Sequence, residues 1–131
     1  MIRPATEADM PAVWTLYSDA CDAMLGTPYD CEWVMGVHPT REGLLASVRA
    51  GNLFVACEDG GVVTDDEATL PLLGAYVLND EQTSGYERAA WPVDAAPEEV
   101  AVIHLLVTAV QARGRGIARS MLAHATGVAR A

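Results

Sequence analysis

The chain has 131 residues, 51% of them apolar and 20% charged, which suits one soluble globular domain with a single core. Its formal charge is −10 and every basic side chain is arginine, so the basic face that nucleic acid needs is excluded and a cationic partner is favoured. No apolar run reaches membrane-span length, and the opening Met1-Ile-Arg-Pro lacks the apolar core of a signal peptide.

Cys21, Cys31 and Cys57 form neither a disulfide framework nor a CxxC metal pattern, which makes a reducing cytoplasm the expected compartment and bystander thiols their expected role.

Ile2-Arg3-Pro4-Ala5 reads as a short strand. Thr6-Glu-Ala-Asp9 resembles a capping box, and acidic groups suit the start of a helix. Met10, Val13, Trp14, Tyr17, Cys21 and Met24 then recur at helical spacing as a core face, with Gly26 as the stop. Residues 27–39 have no period but carry Tyr29, Trp33, Met35 and His38, so this connection either covers a binding site or plugs the core edge. Thr40 caps a second helix over residues 41–50, with Leu44, Leu45 and Val48 facing inward.

Residues 52–57 and 72–78 read as two strands of an antiparallel hairpin. The acidic stretch 62–70 between them reads as an exposed loop, because Asp65-Asp66-Glu67 lacks a regular metal-ligand spacing. Residues 79–97 are irregular and contain Asn79, Gln82, Tyr86 and Trp91. A β-branched and leucine-rich run, Ala101-Val-Ile-His-Leu-Leu-Val107, predicts a buried strand.

After it comes Arg113-Gly-Arg-Gly-Ile-Ala118, and then a helix whose apolar face is Ile117, Ala118, Met121, Leu122, Ala125 and Val128. Gly114 and Gly116 allow a ligand to approach bare backbone, and the first free N–H groups of the helix attract an anion. Arg113 and Arg115 add charge there, so the best-fitting ligand is a phosphate or pyrophosphate. A dinucleotide-binding turn fits poorly, because Arg119 stands where G-x-G-x-x-G needs its third small residue and six residues separate the strand from Gly114.

Arg113, Gly116 and Ala118 instead satisfy Q/R-x-x-G-x-G/A, and this segment resembles the acetyl-coenzyme A-binding motif of the GNAT N-acetyltransferases. The element order agrees with the first two thirds of that fold. His38-Pro-Thr-Arg-Glu42, Gly51-Asn-Leu-Phe-Val55, Asn79-Asp-Glu-Gln82 with Tyr86 and Trp91, and Ile103-His-Leu-Leu106 resemble one bacterial branch of the superfamily. The resemblance implies a single α/β domain over residues 1–131, a mixed and mainly antiparallel sheet flanked by helices, incomplete at its C-terminus.

It also implies transfer of acetyl from acetyl-CoA to a primary amine, with no metal. The pantetheine arm would lie along Leu106, Val107 and Thr108, and the pyrophosphate on Arg113, Gly114, Arg115, Gly116, Ile117, Ala118 and Arg119. Trp33, Asn79, Gln82, Tyr86 and Trp91 are the expected acceptor-binding residues.

The carboxylate base often found on this strand in the family would fall at Val102, which cannot titrate. His104, two residues on, takes its place as base, or else positions the acceptor. The family fold runs on for another strand, a helix and usually two more strands, and its general acid lies there. The expectation is a fragment or the ordered part of a longer protein, or two copies paired through the open sheet edge. A coenzyme-binding or protein-interaction module without turnover is the non-enzymatic alternative.

Overall fold

The computed structural model describes residues 1–58, 72–80 and 101–130. Strands β1 (Ile2–Pro4), β2 (Leu53–Ala56), β3 (Gly74–Asn79) and β4 (Val102–Thr108) form one antiparallel sheet in the order β1-β2-β3-β4. The acidic loop expected at residues 62–70 lies outside the described residues, as do Gln82, Tyr86 and Trp91.

Helix α1 spans Met10–Met24 and follows a 3-10 turn, Glu7–Asp9. The Asp9 carboxylate accepts the Thr6 N–H at 2.7 Å, so the chain enters the helix through a polar clasp. Met10, Val13, Leu16, Tyr17 and Ala20 are the buried residues of α1, whereas Trp14, Cys21 and Met24, expected in the core, are half-buried. Helix α2 covers Arg41–Arg49 and begins where the Thr40 hydroxyl accepts the Gly43 N–H at 3.0 Å. Burial of Leu44 on this helix contributes about 1.5–3 kcal/mol relative to exposure.

Strand pairing assigns the faces. Gly74 pairs with Ala56 and Tyr76 with Phe54, and α3 (Ile117–Ala129) packs on β3 and β4 with His124 edge-on to both rings. Leu53, Val55, Ala75 and Val77 alternate with these residues and face the opposite side, where α1 packs against β4 and α2 against β2. The result is a three-layer arrangement of helices, sheet and helix. In α3 the buried stripe is narrower than the apolar pattern predicts. Met121 and Ala125 are buried, but Leu122 is 45% exposed and Val128 37%, because the helix turns His124 rather than Leu122 toward the sheet.

Candidate functional site

Strand β4 is distorted at its centre. Val77 pairs with His104 and Ala75 with Val107, so Leu105 and Leu106 together oppose Tyr76 alone. This is a β-bulge, and Leu105 adopts a φ of 52°, a left-handed conformation unusual for a leucine. The Tyr17 hydroxyl, brought in by α1, donates to the Leu105 carbonyl at 2.8 Å. The extra residue also shifts the alternation of side chains. Val102 and His104 share the α1–α2 face as a regular strand would have it, but Val107 rather than Leu106 returns to that face. β4 ends the strand order, so among the described residues its outer backbone edge has no neighbouring strand.

His104 lies diagonally across from Asn79, and its Nε2 is 2.9 Å from Asn79 Oδ1. With that oxygen accepting, Nε2 carries the proton and the basic lone pair falls on Nδ1. Two of the sequence-predicted residues therefore meet across the β3–β4 ladder. Trp33 reaches the region less directly, with its ring edge-on to Tyr17 at 5.8 Å and 66°. The remaining acceptor candidates Gln82, Tyr86 and Trp91 fall on residues the structure does not describe.

Beyond β4, a 3-10 turn at Val110–Ala112 leads to the extended Arg113 and the glycine loop. Gly114 and Gly116 have φ of 83° and 76°, and a Cβ on either would meet no atom within 4 Å. Glycine is needed here for backbone conformation, and the space beside it remains open to a ligand. Gly116 caps α3 without a side chain, and the first helical bond runs from Ser120 N–H to its carbonyl at 3.0 Å. The N–H groups of Ile117, Ala118 and Arg119 therefore have no acceptor inside the helix, which makes this end a ready cradle for phosphate oxygens. The loop fits a pyrophosphate group.

The arginines divide. Arg113 and Arg119 are exposed, whereas Arg115 is ion-paired with Glu58 at 2.8 Å, with both side chains 48% accessible. The hydrogen bond that Arg115 donates to the Glu58 carboxylate raises its guanidinium above its ordinary pKa, so it stays charged while part of that charge is offset. Glu58 follows β2, and no short-range pattern in the sequence couples it to residue 115. Among the described residues no three His, Cys, Asp or Glu side chains gather as a metal site. A cavity of about 320 Å³ between α1 and the β4–α3 connection, lined by Ala12, Leu16, Leu72 and Val110 among others, includes neither His104, Asn79 nor the glycine loop.

Sequence reasoning placed Tyr17 in the core but gave its hydroxyl no task. The available signal was general: a tyrosine on the inner face of a helix must find a partner for its O–H. His124 and Tyr76 were missed as a pair; their Nδ1 and Oη atoms are 2.6 Å apart across the α3–β3 interface.

No family model matches the chain, and no curated protein matches it either. Solved structures do. A GNAT-family acetyltransferase from Streptococcus agalactiae 2603 superposes with a TM-score of 0.74 at 21% identity, over 94% of this chain and 66% of its own. Rv2747 from Mycobacterium tuberculosis, solved in complex with CoA, gives 0.59 at 16% identity over 99% and 57%. A ribosomal-protein-alanine N-acetyltransferase from Brucella melitensis gives 0.57 at 25% identity over 99% and 67%. The chain thus spans 57% to 67% of the length of these three. Its fold is that of the GNAT acetyltransferases, an α/β arrangement with a four-stranded antiparallel sheet flanked by helices.

Proposed function

We propose that this protein is an N-acetyltransferase that uses acetyl-CoA to acetylate a primary amine. The observation that carries the reading is the succession from the outer edge of β4, which has no neighbouring strand among the described residues, past its bulge, to the open glycine cradle at the start of α3. When bound, acetyl-CoA supplies the activated acetyl group. The outer backbone groups of Leu106, Val107 and Thr108 bond its amide-rich arm as an added strand would. The N–H groups of Gly116, Ile117, Ala118 and Arg119 hold the pyrophosphate, with Gly114 keeping the approach clear and Arg113 and Arg115 adding charge.

An ammonium acceptor must lose a proton before its nitrogen can attack a carbonyl. His104 takes that proton on its imidazole, directly or through one water, while Asn79 Oδ1, 2.9 Å from Nε2, helps orient the ring. Trp33, Gln82, Tyr86 and Trp91 complete the acceptor pocket in this reading. The net charge of −10 favours a cationic acceptor. The Brucella neighbour is named for a ribosomal-protein alanine, which makes an alanine amine on a protein one candidate beside small polyamine-like or antibiotic amines.

The test is calorimetric titration with coenzyme A. Gly116→Asp places a side chain and a negative charge in the cradle, and affinity is expected to fall about tenfold or more, equivalent to at least about 1.4 kcal/mol. Unchanged affinity in a folded variant rejects the assignment.

A further inference from the structure

Leu105 is the residue at which β4 leaves regular pairing, and leucine does not adopt a φ of 52° without something that holds it there. The bulge takes residues out of the ladder with β3, so their polar groups need other partners. The Leu105 carbonyl finds one in Tyr17, whose side chain comes from a helix 88 residues earlier and is 0% exposed. The same ring carries Trp33 against its edge. One phenol therefore touches both the bulged strand and the connection between α1 and α2.

We propose that Tyr17 is a positioning residue whose hydroxyl fixes the β4 bulge in the shape that binds the coenzyme arm. This rests on the coenzyme reading of β4 given above. Without the hydroxyl, the Leu105 carbonyl loses its donor and the strand gains by straightening toward regular pairing with β3. Straightening would shift Leu106 and Val107 by one position and turn their outer backbone groups away from the arm. Burial raises the Tyr17 phenol well above its ordinary pKa, so the group remains an O–H donor across any practical assay range.

Tyr17→Phe keeps the ring and its contact with Trp33 and removes only the donor. In the full 131-residue chain, amide hydrogen exchange at Leu105 and Leu106 is expected to change at least tenfold, with Val55 in β2 unaffected, and coenzyme A affinity is expected to fall about tenfold. Adding Leu105→Gly should restore at least half of that loss on a logarithmic scale, because glycine takes a positive φ without a clamp. A purely structural role for Tyr17 gives no such rescue, since glycine within a strand weakens it further.

The proposal is overturned if Tyr17→Phe leaves both the exchange at Leu105 and the coenzyme affinity within twofold of the parent, or if the double variant recovers nothing. Should Tyr17→Phe fail to fold, recovery of the fold in the double variant supports the clamp and continued failure overturns it. If the parent chain binds no coenzyme A, the acetyltransferase reading falls while the exchange measurement still decides the clamp.

Discussion

On the α1–α2 face of the sheet the Tyr17 phenol and the Asp9 carboxylate each bond to backbone, whereas on the α3 face the Tyr76 phenol bonds to another side chain. Tyr17 donates to the Leu105 carbonyl, and Asp9 accepts the Thr6 N–H while pairing with Arg3 at 2.7 Å. Across the sheet, Tyr76 bonds His124, and Phe54 stacks on Tyr76 at 5.2 Å and meets His124 edge-on at 5.3 Å. A side chain bonded to backbone sets the course of a strand or the entry to a helix. A side chain bonded to another side chain sets only how closely the helix docks. The proposed chemistry lies on the α1–α2 face, where His104, bonded to the Asn79 side chain, shares a face with Val77 and the Tyr17 hydroxyl bonds its strand.

Full truncation should treat the two faces alike. Tyr17 and Tyr76 are both completely buried, so Tyr17→Ala and Tyr76→Ala should each cost about 3–5 kcal/mol in denaturant unfolding. A loss below about 1.5 kcal/mol for either would mean that face is looser than described.

Activity should separate the faces. His104→Gln in the active protein is expected to lower kcat/KM about 10²-fold, mainly through kcat, if His104 is the base. A rise in KM with unchanged kcat would assign it to positioning the acceptor, and no change would remove it from the site. His124→Gln, on the opposite face, should leave kcat near its parent value.

Close packing is the particular property of the α3 face. A Cβ at Gly74 would fall 2.8 Å from both the Val107 carbonyl and the Met121 Cε atom. Met121 can swing away but the backbone oxygen cannot, so Gly74→Ala should destabilise by about 1–3 kcal/mol. A neutral result in thermal melts would show that β3 and β4 separate more easily than the ladder suggests.

The smallest effect concerns pH on the α1–α2 face. Burial alone would raise the Asp9 carboxyl, but the Arg3 and Thr6 hydrogen bonds outweigh it and hold the group below its ordinary 3.8. A lowered folded pKa means that this stabilisation is complete above the unfolded value and is lost as pH falls through the folded one. Melts between pH 6 and 2 should therefore show an acid-side loss that Asp9→Asn lacks. A parent chain with no such step would mean the carboxylate is not held as described.

The glycine cradle was legible because it is local: a strand, two glycines and a helix start within a few residues impose their geometry on one another, and Gly116 became the cap the motif required. The antiparallel hairpin and both earlier helices were legible for the same reason, since periodicity and caps act over short range. The bulge was not, because Leu105 and Leu106 read as ordinary strand residues and the extra residue is counted only against Tyr76 in the partner strand. Arg115 read as a free cation until Glu58, 57 residues earlier, was brought to it by the sheet. His124 met Tyr76 only once α3 packed on the sheet, 48 residues further along the chain. The sequence alone determined which described segments are helix and strand and where glycines open the backbone at a helix start, because those depend on neighbours along the chain. Only the tertiary structure decided which hydroxyl, carboxylate and imidazole act on which strand, because those bonds join residues tens of positions apart and follow from sheet register and helix rotation.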